Sequence, residues 1–209
     1  MTGAGRIIVL NGAPRSGKSS IVAAIQDSFP DGPWMNLGVD VFVRHVTPER
    51  FRPGMGLRPG ETAHPIAPLV PALYAAFYEA IAAHSRAGLN VVADVGHHDG
   101  AVLADSARRL GGLPAWLVGV RCPIEVIMAR RNAGQVGREG EYAAGSTTDP
   151  IPAPVLLWQR TVHVPGIYDL EVDTSLLTPA ECAAAIGRRV ADASPSAFEQ
   201  LAAGAGAGV

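Results

Sequence analysis

The sequence predicts an α/β fold: a five-stranded parallel sheet covered by helices on both faces. Three observations predict it. Short apolar runs alternate with segments of helical periodicity. The first apolar run leads straight into a Gly-rich turn that opens a helical pattern. At 209 residues and 48% hydrophobic, the chain is the right size and composition to bury one domain core.

Arg6 to Leu10 reads as a buried strand, and Lys18 to Ser28 as a helix with Ile21, Val22 and Ile25 at helical spacing. Trp34 to Val39 reads as a second strand, weakened by Gly38. Leu69 to Ala87 reads as a long helix: Leu73, Phe77 and Ile81 recur every four residues and Gly88 stops it. Leu89 to Val95 is a strand, Ala101 to Leu110 a helix, and Ala115 to Val120 a fourth strand. Pro123 to Asn132 is a helix with Pro in its first turn. Tyr168 to Val172 is the fifth strand. Thr178-Pro179-Ala180-Glu181 starts a last helix, to about Ala191, as an N-cap followed by Pro.

Two stretches break the rhythm. Residues 44–68 are rich in Pro, Gly and Arg, and read as an acceptor-binding insertion; residues 133–154, punctuated by Gly134, Gly137, Gly140 and Gly145, read as a lid. Residues 1–193 are then a single domain, and 194–209, ending in Ala-Ala-Gly-Ala-Gly-Ala-Gly-Val, a flexible tail. A net charge of −2 argues against a nucleic-acid partner. No 18-residue apolar run argues for a membrane span, and no signal-peptide pattern is legible, so a cytoplasmic location is expected. Two cysteines make neither a disulfide framework nor a zinc pattern.

Of seventeen basic residues sixteen are Arg, and the single Lys is Lys18. It lies in Gly12-Ala13-Pro14-Arg15-Ser16-Gly17-Lys18-Ser19, which matches the Walker A pattern G-x-x-x-x-G-K-[ST]. Glycines let successive N–H groups curl around phosphate oxygens, and the following helix, from Lys18 through Ser20, directs its positive end at the same anion. Lys18 supplies a compact charge where Arg is too large, and the Ser19 hydroxyl suits Mg²⁺.

Further candidates sit at strand ends, where ligands gather in open α/β sheets. Asp40 follows the second strand and suits a general base or an aligner of an acceptor hydroxyl; the alternative is a turn aspartate. Asp94 ends Asn90-Val91-Val92-Ala93-Asp94, the shape of a metal-side acid, or caps a turn. His97 and His98 follow and suit substrate contact or ordinary loop roles better than a metal site, since no third ligand is suitably spaced. Arg130 and Arg138 are candidates to meet phosphoryl charge, whereas Arg131 suits a solvent-facing position. Arg44, Arg50, Arg52 and Arg58 either bind an anionic or hydroxyl-rich acceptor or form the soluble face of a loop. Phe77 reads as core, and Tyr74 or Tyr78 as a wall of the acceptor pocket.

Ile7 to Gly12, Ser16-Gly17-Lys18-Ser19, Gly38-Val39-Asp40, Val118 to Cys122 and Glu171 to Thr174, in that order, resemble the chloramphenicol phosphotransferase-like proteins. The resemblance implies a P-loop kinase sheet of the nucleoside-monophosphate-kinase type. It implies transfer of the γ-phosphate of ATP, with Mg²⁺, to a hydroxyl of a small antibiotic-like molecule. By the same resemblance Asp40 is the base, Arg130 and Arg138 fall near the lid arginines, and Thr174 lies near adenine. The chain departs from the family's antibiotic-modifying member at Ala93-Asp94, where that member has Asp-Asp, in the 44–68 stretch, and at His97-His98. The expected partner is a small hydroxylated acceptor, with self-association left open. Kinases of a primary metabolite, sugar or nucleotide, and a non-catalytic nucleotide-binding module, remain the alternatives.

Overall fold

The computed structural model describes residues 3–133, 146 and 150–206. Five strands, β1 (Ile7–Asn11), β2 (Trp34–Asn36), β3 (Asn90–Val95), β4 (Ala115–Arg121) and β5 (Leu170–Asp173), form one parallel sheet in the order β2-β3-β1-β4-β5. Eight α-helices accompany it among the described residues: α1 (Lys18–Ser28), α2 (Val39–His45), α3 (Val70–Arg86), α4 (Gly100–Arg109), α5 (Ile124–Asn132), α6 (Ala153–Thr161), α7 (Pro179–Asp192) and α8 (Ala197–Gly206).

Period-two alternation sorts each strand between two cores. Ile7 and Val9 of β1 join Val91, Ala93 and Leu117 against α3, α4 and α8. Ile8 and Leu10 face the other way and join Val92, Val118 and Val120 against α1 and α7. The central strand β1 is buried along its whole length. This explains its continuous apolar run, which a strand with one wet face does not need. A third cluster gathers Ala13, Ile127, Met128, Val155 and Trp158, and packs α5 and α6 beneath the loop after β1.

Three expectations need correction. The second strand stops at Asn36, because Gly38 turns the chain into α2. Asp40 therefore sits in the first turn of a helix and not at the end of a strand. Residues 153–161 form a helix that the irregular reading of 133–154 did not anticipate. The tail is not loose as far as Gly206: α8 buries Ala197, Phe198 and Leu201 in the same core as α4. Its start is held by Asp169, whose carboxylate accepts from Ser196 N at 2.7 Å and Ala197 N at 3.2 Å. Phe198 and Leu201, three apart, supply the apolar stripe that the Ala/Gly composition conceals.

The 44–68 stretch contains three short 3₁₀ turns, and Met55, Leu57 and Ile66 are buried. Arg52 donates to the carbonyls of Val43 at 3.0 Å and Arg44 at 2.6 Å, so its guanidinium closes the C-terminal end of α2. No helix among the described residues is long and apolar enough to cross a membrane.

Candidate active site

The loop between β1 and α1 is shaped for an anion. Gly17, the N-cap of α1, has φ 97°, and Arg15 is also left-handed at φ 71°. Residues with this alternation turn consecutive N–H groups inward, and no side chain caps the helix. Lys18 folds back over the loop, its Nζ donating to Gly12 O at 2.8 Å and Ala13 O at 2.9 Å. Burial holds its ammonium below the ordinary lysine range, and the carboxylates of Asp94 and Asp40 oppose that. Asp94 at the tip of β3 accepts from Ser19 Oγ at 2.8 Å.

Gly38 is what allows this arrangement. A Cβ there would lie 1.8 Å from Asp94 Oδ1, so only glycine lets the acid pass beneath the start of α2. The Gly-Val-Asp element thus does two things: it admits Asp94, and it sets Asp40 on the first turn of α2.

Asn11, the last residue of β1, ties the loop's root to its surroundings. Its Oδ1 accepts from His97 N at 2.8 Å, and its Nδ2 donates to Val162 O at 2.7 Å and Tyr168 Oη at 2.8 Å. On the far side, Arg130 donates to Thr174 O at 2.8 Å and Thr174 Oγ1 at 3.1 Å, and the Arg15 guanidinium bonds Arg130 O. Thr174 Oγ1 in turn donates to Ser16 O at 2.6 Å. Loop, α5 and the turn after β5 are therefore one hydrogen-bonded unit.

These groups line a cleft of about 1200 Å³. Of the residues singled out in the sequence, Gly12, Pro14, Arg15, Gly17, Lys18, Ser19, Ser20, Asp40, Arg44, Tyr74, Asp94, Arg130 and Thr174 are brought together on its walls. Ala13 and Ser16 are buried beneath the loop. Tyr78 does not wall the cleft: it is 1% exposed, and its hydroxyl shares a 2.5 Å hydrogen bond with His97 Nε2. His97 is itself buried, and it lines, with the half-buried His98, a smaller neighbouring cavity. Arg138 lies outside the described residues.

Sequence reasoning missed several wall residues. Arg131 is buried against the cleft and not turned to solvent. Val155 and Trp158 of α6, packed with Ala13 beside the loop, and Val43, Met55 and Leu57 add apolar side chains to the cleft wall, among Arg52, Arg58, Glu61 and His64. The signal for α6 was available: Pro152-Ala153-Pro154 ahead of Val155 and Trp158 is a helix start with Pro in the first turn.

The residues fit a polyphosphate with a hard divalent cation. Ser16 Oγ is buried inside the loop with no hydrogen-bond partner among the described residues, as expected of a donor aimed at an anion. Ser19 Oγ and Asp94 Oδ2, hydrogen-bonded at 2.8 Å, bring two oxygen donors together, the chemistry Mg²⁺ prefers. Among the described residues no cluster of three or more His, Cys, Asp and Glu side chains is set to hold a metal.

A parallel sheet, a phosphate loop at the end of its central strand and an acid pair beside it define a P-loop kinase. Solved structures share the fold. An APS kinase from Mycobacterium tuberculosis, in complex with AMPPNP and APS, has TM-score 0.64 at 14% identity, over 91% of this chain and 99% of that one. A tunicamycin resistance protein from Deinococcus radiodurans gives 0.57 at 15% identity, over 91% and 98%. A shikimate kinase from Acinetobacter baumannii, in complex with shikimate, gives 0.54 at 11%, over 90% and 93%. The chain belongs to the chloramphenicol phosphotransferase-like family, whose model matches residues 5–191. Two Mycobacterium tuberculosis sequences named "Putative O-phosphotransferase" are each 31% identical to it over 186 residues, 82% of this chain and 76% of theirs. The protein is a kinase-type phosphotransferase.

Proposed function

We propose that the protein transfers the γ-phosphate of ATP, with Mg²⁺, to a hydroxyl of a small, largely apolar molecule of the antibiotic or natural-product kind. One observation carries this reading. A single cleft holds the phosphate loop, the Ser19–Asp94 pair and Asp40 together with the apolar side chains of Val39, Val43, Met55, Leu57, Val155 and Trp158. Polyphosphate chemistry needs the loop and the pair; the apolar side chains suit an acceptor with apolar surface, and Arg44, Arg52, Arg58, Glu61 and His64 suit polar groups on the same molecule.

The bound nucleotide and its Mg²⁺ supply the phosphoryl group and offset its charge. The loop's N–H groups and Lys18 grip the phosphates and fix the line of attack. Ser19 and Asp94 would hold the cation. Asp40 orients the acceptor hydroxyl and takes its proton as the new O–P bond forms and the bond to the leaving diphosphate breaks. Because such transition states are loose, alignment by Asp40 matters more than deprotonation. Arg130 and Arg131 both line the cleft and are the candidates to meet charge on the transferring group; Arg130 also holds Thr174 and the loop.

The test is a screen of hydroxylated antibiotics, natural products, sugars and primary metabolites with ATP and Mg²⁺, read by mass spectrometry for the gain of one phosphoryl group. Esters of apolar alcohols are expected. Esters only of sugars or charged metabolites would replace the proposed acceptor class, and hydrolysis without any ester would remove transfer altogether.

A further inference from the structure

A second cavity, of about 170 Å³, adjoins the cleft. Leu57, Arg58, Glu61 and Tyr74 line both, so Tyr74 stands between them. The smaller cavity is completed by Ala67, Val70, Pro71 and Val102, with His97, His98 and Asp99 at the end of β3. We propose that this side pocket is a subsite for the acceptor, taking an uncharged arm the size of one ring while the hydroxyl lies at Asp40. The proposal rests on the phosphotransfer reading of the cleft.

Size sets the first limit. A cavity of about 150 Å³ accommodates a benzene molecule, so 170 Å³ fits one ring and little more. Chemistry sets the second. Ala67, Val70, Pro71, Val102 and the ring of Tyr74 supply an apolar lining. The polar groups are neutral or already matched. Burial, reinforced by the neighbouring His98, pushes the His97 imidazole down to about 3; burial also lowers His98, and raises the Tyr74 phenol above its ordinary range. All three are uncharged at neutral pH. Arg58 lies 4.0 Å from Glu61. Asp99 accepts from Ala101 N at 2.8 Å and Val102 N at 3.2 Å, so its charge is held at the start of α4. An anionic arm meets the carboxylates of Asp99 and Glu61 and no protonated histidine, with Arg58 the one cation in the lining and already beside Glu61. A cationic arm meets a carboxylate already satisfied by two N–H groups.

Position sets the third. His98 lies against Trp158, ring centroids 4.9 Å apart, and Trp158 walls the main cleft. The His97 ring lies 5.4 Å from Tyr74, and the His97 backbone is tied through Asn11 to the root of the phosphate loop. The wall of the side pocket is thus continuous with the structure that holds the phosphates, so a ring lodged there is in fixed relation to the transfer site.

The probes are ω-phenylalkanols of increasing chain length, the matching ringless alkanols, and para-carboxylate and para-aminomethyl versions of the best binder. Saturation-transfer NMR reads ring binding without turnover, and mass spectrometry with ATP and Mg²⁺ reads ester formation. Neutral ring-bearing alcohols are expected to bind about tenfold more tightly than ringless ones. Ala67→Phe, which fills the pocket from a half-buried position, is expected to remove that advantage, as is Val70→Phe, with thermal unfolding showing that each variant is folded. Undiminished ring binding in the folded variants overturns the proposal. Tighter binding of either charged analogue to the parent protein overturns it too, without any variant. Ring binding lost on filling, but no ester from any alcohol, leaves the side pocket standing and ends the phosphotransfer reading. Equal phosphorylation of ringless and ring-bearing alcohols does the reverse.

Discussion

The two walls of the cleft are made of different materials. The phosphate side is backbone and charge: a left-handed turn, one ammonium held on two carbonyls, a serine bonded to an acid, and an arginine clamped on Thr174. The side proposed for the acceptor is built from side chains of α2, the 55–74 stretch and α6, with apolar Val43, Met55, Leu57, Val155 and Trp158 among Arg44, Arg58, Glu61 and His64. The contrast follows from the ligands. A polyphosphate is the same in every such enzyme, so a short contiguous segment can be shaped to it. An acceptor is recognised by its outline, which needs side chains from several segments.

The predictions below test that contrast, from the largest effect to the smallest. Lys18→Ala should reduce phosphoryl transfer by about 10³-fold, because it removes the ammonium held over the loop. The measurement is single-turnover ester formation alongside a circular-dichroism spectrum; transfer near the parent rate would undo the account of the phosphate side. Asp40→Asn belongs to the boundary between the walls. It should lower turnover by about 10²-fold while calorimetry shows nucleotide affinity within a few-fold of the parent. A matched loss of nucleotide binding would move Asp40 to the phosphate side.

Phe198→Ala asks whether the scaffold behind the acceptor side is as rigid as it is drawn. Phe198 is 4% exposed and packs in the core shared with α3 and α4, so its truncation should cost about 3 kcal/mol in urea unfolding. A loss below about 0.5 kcal/mol would mean that α8 is not docked.

Acid should weaken the same half. His97 is held neutral with its imidazole down at about 3, against an ordinary value of 6.5, so the unfolded chain binds more protons between those limits. Stability therefore falls as pH drops through 6.5, by about 2 kcal/mol between pH 7 and 5. His163, lowered to about 4 by burial and by Arg121, pulls the same way. Melting temperatures across that range should decline, and less steeply in His97→Asn. An equal slope in both would remove His97 as the source.

The smallest effect concerns the join between the walls. Gly38→Ala should press its methyl group on the Asp94 carboxylate and draw it away from Ser19. About tenfold lower turnover is expected, with a higher Mg²⁺ requirement and little change in melting temperature.

Legibility follows the same divide. Gly12 to Ser19 announces its chemistry because spacing along the chain is spacing around the phosphates. β1, β3 and β4 were readable as apolar runs, since strands buried on both faces need nothing else. Gly38 looked like a flaw in a strand; its meaning, room for Asp94, exists only once β3 lies beside it. Tyr74 and Tyr78 are indistinguishable as letters four apart on one helix, yet one reaches both cavities and the other is sealed beneath His97. Arg130 and Arg131 parted company in the same way, one clamped to Thr174 and the other buried at the cleft.

The order of residues alone specified a parallel sheet, a phosphate-gripping loop and the acids near it, because those depend on periodicity and on contacts a few residues apart. Which tyrosine, which arginines and which apolar side chains line the cleft was settled by packing. Those contacts join α2, α3, α5 and α6 across long sequence separations, and no local rule encodes the angle at which one helix lies on another.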